Sequence, residues 1–429
     1  MIAPSSNEVD GVRRVLSVVA GVIIYASLGS SYSISAWNGQ LKETLNMTQP
    51  DIAFVSSCYS FGMYNTIWAG FFHDRFGTRL SMLVALTLLT LCYALAAYLA
   101  ARPHLPTWYI ALCFGGVGQA GGFAIVAGLA ANEGIYGNRH RGAIVGLLLA
   151  AYSAGGAIFA LVYHGAYDHD VAGFFGFMSI EHALMGLLGL ALLVPPVRRR
   201  ASLKDEAIPL LLPETGGRDI TLLALLRDER FWLLFVPVMI GVGSALFVLN
   251  NIAFVLQSYG ASTDLVPAYV SIFSICNMAG RLGMGVLSDK FGASHSRAWF
   301  LSLGVLAMAL TQVLFLVLPT QYVVVPILCA GLAEGCIYAM FPVVTRELFG
   351  PTHFGKNFGL ISLANAVGFP LLLGPLASVL YKWAANGDAT CLGARCFAPM
   401  FGVSFALCLL ALAASVRLQR HMHVLSPRP

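Results

Sequence analysis

Two short motifs that lie 215 residues apart have almost the same sequence. Residues 70–77 read GFFHDRFG and residues 285–292 read GVLSDKFG, so Asp74 and Asp289 are separated by half of the 429-residue chain. The correspondence extends to four further pairs, at offsets of 213 or 214: Glu133 and Glu347, Gly142 and Gly355, Gly146 and Gly359, and Gly155 and Gly368. We infer an internal duplication in which both copies run in the same direction.

The composition is that of a membrane protein. Hydrophobic residues make up 58% of the chain, charged residues 10%, and the mean hydropathy is +0.77, whereas soluble domains carry about a quarter charged residues. Apolar runs long enough to cross a bilayer lie at 15–37, 51–72, 80–101, 107–133, 142–164, 173–195, 231–256, 265–288, 298–318, 321–345, 357–381 and 397–416. The sequence therefore predicts an all-α integral membrane protein with twelve transmembrane helices in two six-helix halves, related as parallel repeats.

The duplication also predicts the domain organisation. We expect an N-terminal six-helix bundle at 1–196, a cytoplasmic linker at 197–230, which contains the one long polar stretch, and a C-terminal six-helix bundle at 231–429.

The positions of the basic residues predict the orientation. Twenty of the 25 Lys and Arg lie on one side of the predicted spans, which the positive-inside rule assigns to the cytoplasm together with both termini. The net charge of +5 then belongs to loops beside anionic lipid, so no nucleic-acid partner is expected. We expect a multi-pass protein of the plasma membrane or of an endosomal, lysosomal or vacuolar membrane.

Two cysteines lie in the last predicted outer loop. Cys391 and Cys396 could form a disulfide if that side of the membrane is oxidising, although the sequence does not establish the pairing.

The duplicated motifs resemble the loop signature of the major facilitator superfamily, a resemblance that implies its fold. A glycine four residues before the acid lets neighbouring helices approach closely, and the Asp can accept hydrogen bonds from backbone N–H groups at a neighbouring helix end. We interpret the motif residues as a gate on the cytoplasmic side; simple anchoring of the loops is the alternative. The gating candidates are Gly70, Asp74, Arg75, Gly77, Gly285, Asp289, Lys290 and Gly292.

Charged residues well inside the predicted spans are rare. Arg281 and Glu334 are the two that we place there, in the eighth and tenth spans. An arginine near the centre of a span costs about 2.5–3.5 kcal/mol on insertion scales, so it normally faces a polar cavity and a partner. We expect Arg281 to pair with Glu334 in the empty protein and with a substrate anion in the loaded protein; a permanent structural ion pair is the alternative.

The sequence around Arg281 resembles the eighth span of monocarboxylate transporters, because Asn277, Arg281 and Gly285 follow one another at intervals of four. That resemblance implies that Arg281 holds a substrate carboxylate, which suits its planar, bidentate donor group. Asn277 stands where that family has a protonatable Asp, and the first span offers Tyr32 rather than a lysine.

Other stretches are similar to two further branches of the superfamily. The segments at 141–164 and 391–397 resemble nodulin-like members, and the segments at 347–350 and 357–359 resemble oxalate/formate antiporters. The polar residues Gln119 and Asn250 within spans are additional candidates for substrate binding, with helix–helix contact as the alternative. Glu181 and His182 are expected to open the sixth span on the outer side.

These patterns predict a secondary active transporter that moves a small, monocarboxylate-like organic anion by alternating access. The alternatives are a nodulin-like carrier of another small solute, such as an amino acid or an amphipathic or metal-chelating compound, and a transport-dead membrane sensor. We expect H+ as the candidate coupling ion and a functional monomer. No metal-ligand spacing, nucleophile–base motif or phosphate-binding loop occurs in the sequence, so we expect no metal, no cofactor and no enzymatic activity.

Overall fold

The structure is a computed structural model that describes residues 6–102, 106–194, 223–261, 265–386 and 391–425. These residues form helices joined by short turns, and no β-strand occurs among them. The α-helices are α1 (Ser6–Leu28), α2 (Ile34–Thr44), α3 (Gln49–Tyr64), α4 (Ile67–Ala100), α5 (Trp108–Asn132), α6 (Arg141–Ala166), α7 (Val171–Leu192), α8 (Leu223–Arg227), α9 (Glu229–Ser258), α10 (Val266–Lys290), α11 (Arg297–Val317), α12 (Val324–Phe349), α13 (Phe354–Ala366), α14 (Gly374–Ala385) and α15 (Ala398–Leu425).

The helices long and apolar enough to cross a membrane match the predicted spans. Eleven such stretches occur in the described chain, and one of them, Phe54–Ala100, contains both the second and the third predicted span. The backbone leaves helical geometry inside this stretch at Gly77, with φ 83° and ψ 179°. The predicted twelve-helix fold is confirmed, because the chain turns at Gly77, a conformation that a residue with a Cβ rarely adopts.

The duplication extends to the backbone conformation. Gly137 precedes α6 with φ 74°, and Gly350 follows α12 with φ 79°, so two left-handed glycines occur 213 residues apart. In each half the next helix, α6 or α13, begins four residues after this glycine. Both halves therefore use the same glycine turn to start the helix that follows it.

The two halves pack closely at the end of the bundle that carries the duplicated motifs, which we call the latch end. A Cβ at Gly285 of α10 would collide with the carbonyl of Gly142 on α6, and a Cβ at Gly70 of α4 would collide with the carbonyl of Gly355 on α13. These two contacts are related by the duplication. The four glycines therefore allow the helix backbones of opposite halves to touch.

The predicted linker lies largely outside the described residues, because 195–222 falls between the described ranges. Its last residues form α8 and the start of α9, where Asp228 caps α9 by accepting a hydrogen bond from the Arg230 N–H at 2.9 Å. The domain boundaries at 196 and 231 remain a prediction.

The glycine contact predicts the effect of added bulk on the gate. Gly285→Val should force the halves apart at the latch end, because overpacking costs about 1–3 kcal/mol, equivalent to about a 5- to 150-fold change in an equilibrium. Maleimide labelling of a cysteine introduced at the fully buried Thr345 should therefore become faster. The seven free cysteines of the described chain are replaced by alanine in this experiment. Gly283→Val is the matched control on the same helix, since a Cβ there meets nothing within 4 Å. Equal labelling rates in both variants, and in the milder Gly285→Ala, would contradict the close contact.

Candidate functional site

A fully buried arginine lies between the two halves. Arg281 of α10 is 0% exposed, and its Nη1 donates to the Leu149 carbonyl of α6 at 3.0 Å. Its Nη2 lies 3.5 Å from the Tyr32 hydroxyl, in the 3-10 turn Gly29–Ser33 that follows α1. On its own side, the guanidinium carbon lies 4.4 Å from the ring centroid of Tyr338 on α12. The guanidinium therefore contacts both halves of the protein at once.

Glu334 lies near Arg281 but is not directly paired with it. Among the ion pairs of the described chain, none joins the two side chains; the Glu334 Oε2 instead accepts from the Asn277 Nδ2 at 2.8 Å. The Asn277 Oδ1 in turn accepts from the Ser153 hydroxyl of α6 at 2.9 Å. Our expectation of a direct Arg281–Glu334 ion pair is wrong for this conformation. Instead, Asn277 donates a hydrogen bond to the carboxylate from one turn before Arg281 on the same helix.

The other predicted binding residues have different positions. Tyr32 joins the Arg281 cluster, as described above. Gln119 of α5 lies against α3, near Gly62 and Gly122, and its Nε2 is buried without a hydrogen-bond partner. Asn250 is exposed on α9 and donates to the Leu246 carbonyl of its own helix at 2.8 Å. The described contacts connect Asn250 to its own helix rather than to the Arg281 cluster, and its role in substrate binding stays a prediction.

Sequence reasoning missed the aromatic walls of this cluster. Tyr338 packs on the guanidinium, and Tyr152 of α6 packs edge-on against Tyr32, with ring centroids 5.3 Å apart. The Tyr152 hydroxyl also lies 2.8 Å from the Ser31 hydroxyl. Tyrosines within apolar spans are the signal that could have identified them, since a buried hydroxyl requires a hydrogen-bond partner.

The two motif aspartates make the same contact in both halves. Asp289 accepts from the backbone N–H groups of Gly142 and Ala143, at 2.9 and 2.6 Å, in the first turn of α6. Asp74 accepts from the N–H groups of Gly355 and Lys356, both at 2.9 Å, in the first turn of α13. The predicted contact with backbone donors at a neighbouring helix end is confirmed, and each contact joins opposite halves. A carboxylate at a helix N-terminus is stabilised by the unpaired N–H groups and by the helix dipole.

A network of charged side chains surrounds these contacts. Glu133 pairs with Arg346 across the halves at 2.7 Å and with Arg141 at 2.8 Å. Arg297 pairs with Asp289 at 2.6 Å and with Glu347 at 3.4 Å. From the sequence, Glu133 and Glu347 indicated only the duplication. Two acids repeated at span ends also predict partners on the opposite half, and sequence reasoning missed this signal.

The remaining gating candidates divide into glycines and basic residues. Gly77 provides the turn within α4, and Gly292 is exposed just after α10. Arg75 and Lys290 are also exposed, and each lies over the aromatic ring of the residue that follows it, at 5.5 and 5.6 Å. In this conformation the basic residue next to each Asp contacts an aromatic ring of its own half; the Asp289 carboxylate pairs instead with Arg297, which belongs to the same half.

A third charged residue lies deep within a span. Glu181 is the eleventh of the 22 residues of α7, so Glu181 and His182 lie at its middle rather than at its outer end. The expectation that only Arg281 and Glu334 are charged well inside the spans is therefore wrong. The span was located by hydropathy alone. Hydropathy does not take into account that an acid inside a helix is tolerated when it has a partner.

The predicted pair of outer cysteines is joined in the structure. Cys391 and Cys396 form a disulfide with a Cα–Cα separation of 5.7 Å. It closes the loop that precedes α15, and the Cys391 N–H donates to the Tyr381 hydroxyl of α14 at 3.1 Å.

Comparisons with known proteins agree with this architecture. A family model described as the Major Facilitator Superfamily matches residues 19–294 and 238–427. A protein of Escherichia coli (strain K12) named as an uncharacterized MFS-type transporter, YhjX, is 25% identical over 363 residues, which cover 83% of this chain and 85% of the relative. The oxalate:formate antiporter of Oxalobacter formigenes is 22% identical over 370 residues, 84% of this chain and 83% of that protein. The predicted resemblances to the superfamily and to its oxalate/formate branch are confirmed.

A solved structure shows the same fold. The crystal structure of a bacterial homologue of the iron transporter ferroportin, in the outward-facing state with soaked iron, has a TM-score of 0.69 and 15% sequence identity. The match covers 94% of this chain and 98% of that one. At this identity the likeness supports the arrangement of helices and carries no information about the solute.

The latch contacts predict the effect of neutralising each aspartate. Asp289→Asn and Asp74→Asn should raise maleimide labelling at Thr345→Cys, because the new amide NH2 faces a backbone N–H and a hydrogen bond to a charged group is lost, worth about 1.5–3 kcal/mol. The two variants should act in the same direction, since each removes a carboxylate that accepts two backbone hydrogen bonds from the opposite half. The control is Asp168→Asn, whose carboxylate is 57% exposed. Unchanged labelling in both latch variants would leave these aspartates as anchors of their own loops.

Proposed function

The chain belongs to the major facilitator superfamily, and from this premise we propose that it is a secondary transporter of a small monocarboxylate. Members of this family are membrane transporters rather than enzymes, and the chain is a multi-pass membrane protein. In our proposal, residues 1–196 rock against residues 231–416, so that a site between the halves opens to each side in turn.

The observation that carries the proposal is the buried donor surface of Arg281. The guanidinium is fully buried between the halves, and its Nε is buried without a hydrogen-bond partner among the described residues. An unsatisfied buried donor costs about 1–3 kcal/mol, which a substrate carboxylate would recover. Because Arg281 contacts Leu149 and Tyr32 of the other half, an anion bound to it would be sensed by both halves.

The charge of the site favours a monoanion. Arg281 is the one Lys or Arg that lies deep within a span of the described chain, and the carboxylate of Glu334 lies close by. One guanidinium can neutralise one carboxylate, whereas a dicarboxylate would bring a second negative charge into a region of low dielectric constant. The ring of Tyr338 covers one face of the guanidinium and the Tyr32 hydroxyl lies 3.5 Å from Nη2, which favours a small solute. A relative named as an oxalate:formate antiporter supports the carboxylate class.

Glu334 supplies a route for coupling to protons. Glu334 is 2% exposed, and its carboxylate accepts a hydrogen bond from Asn277. When a substrate anion occupies the field of Arg281, a charged Glu334 becomes a second negative charge nearby, and desolvation favours its neutral form. We therefore propose that Glu334 takes up a proton when the anion binds, which makes the transporter a proton–anion symporter.

The solute class is tested by a proteoliposome uptake screen. We expect saturable uptake of one or more of formate, acetate, lactate and pyruvate, and none of oxalate, succinate, neutral amino acids or hexoses. Uptake confined to a neutral solute, or saturable transport of a dicarboxylate alone, would reject the monocarboxylate proposal.

Arg281→Lys should lower the rate of monocarboxylate uptake by at least about tenfold, as expected for losing a charged hydrogen bond worth about 1.5–3 kcal/mol. Lysine keeps the charge but has neither the planar fork nor an aromatic-stacking face. Uptake kinetics are compared with those of Arg395→Lys, an exposed position in the last outer loop. Wild-type kinetics in Arg281→Lys for every anion carried would exclude a role as carboxylate clamp.

Glu334→Gln should abolish accumulation driven by a pH gradient while counterflow exchange of labelled anion continues. The amide cannot take up a proton, but it preserves the size of the side chain and a hydrogen bond with Asn277. Glu43→Gln, at an exposed position, is the matched control. If Glu334→Gln still accumulates anion under a pH gradient, Glu334 is a structural partner or a direct ligand of the solute instead.

A further inference from the structure

A second pair of titratable side chains lies inside the N-terminal half, away from Arg281. The His182 Nδ1 lies 2.9 Å from the Glu181 Oε2 and 2.9 Å from the Met178 carbonyl. The same Glu181 oxygen accepts from the Ser27 hydroxyl of α1 at 2.8 Å. His182 is 3% exposed, and the pair lies at the middle of α7. Neither side chain has a role in the function proposed above.

The contacts determine which atom of this pair can exchange a proton. Two oxygen acceptors face the His182 Nδ1, so this nitrogen carries a hydrogen in either charge state. The Glu181 Oε2 accepts from the Ser27 hydroxyl and lies 2.9 Å from the His182 Nδ1. Of the two ring nitrogens of His182, Nε2 is therefore the one at which a proton could be gained or lost.

The side chains that surround the Glu181–His182 pair are mostly uncharged. From α4 the ring of Tyr93 faces His182, with centroids 5.1 Å apart, and from α1 the Ser27 hydroxyl faces Glu181. Helices α2 and α5 present Trp37 and Phe114 to Phe175, and α6 presents Tyr163 to Phe174. From α3, Tyr59 lines the same cavity as His182. Among the described residues, no Lys or Arg forms an ion pair with Glu181. A positive charge on His182 is thus the one available compensation for this carboxylate.

A small cavity, lined by polar and apolar residues, lies between His182 and the 3-10 turn that contains Tyr32. A cavity of about 10 Å³, room for the centre of roughly one water molecule, is lined by His182, Tyr93, Ser30, Ser31 and Tyr59 among others. The Ser31 hydroxyl lies at hydrogen-bond distance from the Tyr152 hydroxyl, and the next residue, Tyr32, contacts Arg281.

The backbone also connects the surroundings of Glu181 to those of Arg281. Ser27, which binds Glu181, lies near the end of α1, and Tyr32, which contacts Arg281, lies in the 3-10 turn that follows. That turn is held tightly, since a Cβ at Gly29 would collide with the carbonyl of Tyr152. A change at Glu181 can therefore be transmitted to Arg281 over five residues of chain.

We propose that the Glu181–His182 pair is a second proton-binding site, and that its protonated state is the one competent for anion transport. The charges deep in the spans support the sign of this effect. With His182 protonated, its charge and that of Arg281 balance Glu181 and Glu334 in the empty protein. The balance is retained when one monoanion binds and Glu334 takes up one proton. With His182 neutral, both states carry an uncompensated negative charge, which disfavours an anion.

The transport arm of the test rests on the proposed monocarboxylate function. Full-length protein in proteoliposomes is assayed for counterflow of labelled pyruvate, formate, acetate and lactate, with equal pH inside and outside, from pH 5 to 8. In the wild type we expect the rate to fall as the pH rises. His182→Gln should lose this dependence, and Glu181→Gln, which removes the carboxylate 2.9 Å from the His182 Nδ1, should move its midpoint to lower pH. The matched control, His164→Gln, removes a histidine whose side chain is 59% exposed and should keep the wild-type profile.

A second arm needs no substrate and separates failure of this proposal from failure of the proposed function. The full chain, with its ten histidines isotopically labelled, is titrated by NMR in lipid nanodiscs, and His182→Gln assigns the His182 signal. A signal that titrates between pH 5 and 8, and at lower pH in Glu181→Gln, supports the proton site even if no monocarboxylate shows counterflow. A His182 signal that does not titrate in this range, or a wild-type pH profile of counterflow in His182→Gln, overturns it.

Discussion

The arrangement at the centre of this protein depends on a guanidinium that is held away from water in the middle of a membrane protein. Such a group is costly unless its charge and its five N–H donors are compensated. Here a backbone carbonyl of α6, a tyrosine hydroxyl and a tyrosine ring contact the guanidinium, and the nearby carboxylate of Glu334 accepts from an asparagine. The compensation is incomplete at Nε. Incomplete compensation distinguishes a site that can accept an anion from a closed structural ion pair, which would leave no donor for a ligand.

The contacts at the latch end follow the duplication, whereas the charged residues at the centre do not. At the latch end, Asp74 and Asp289 accept the same pair of backbone hydrogen bonds from α13 and α6, so the contact between the halves is symmetric. Toward the middle of the membrane, the charges are unequal: α10 and α12 provide Arg281 and Glu334, while α7 provides Glu181. A gate that must open and close as a unit can use two equivalent contacts. A single small anion requires one unsymmetrical site.

The sequence predicted the fold well and the central site only in part. Twelve apolar runs and a motif repeated at 215 residues were enough for the two halves, because the bilayer requires long apolar helices and the repeat is visible without a structure. Arg281, Asn277, Glu334 and Tyr32 were identified because polar groups in apolar spans stand out. Their connections were not, since periodicity places a residue on a helix without revealing which neighbouring helix it faces. For the same reason the sequence could not show that the Asn250 amide bonds the Leu246 carbonyl of its own helix.

By itself, the sequence determined that this chain is a duplicated bundle of membrane-spanning helices, with two acidic turns at one end and an arginine in the interior of the eighth span. These properties follow from local composition and spacing, to which the bilayer responds directly. Only the tertiary structure decided that Asn277 stands between Arg281 and Glu334, that Arg297 and Arg346 complete the latch, and that Glu181 and His182 are a buried pair beside Ser27. The physical reason is that a hydrogen bond needs its atoms within about 3 Å, and residues hundreds of positions apart reach that distance only when the helices have packed.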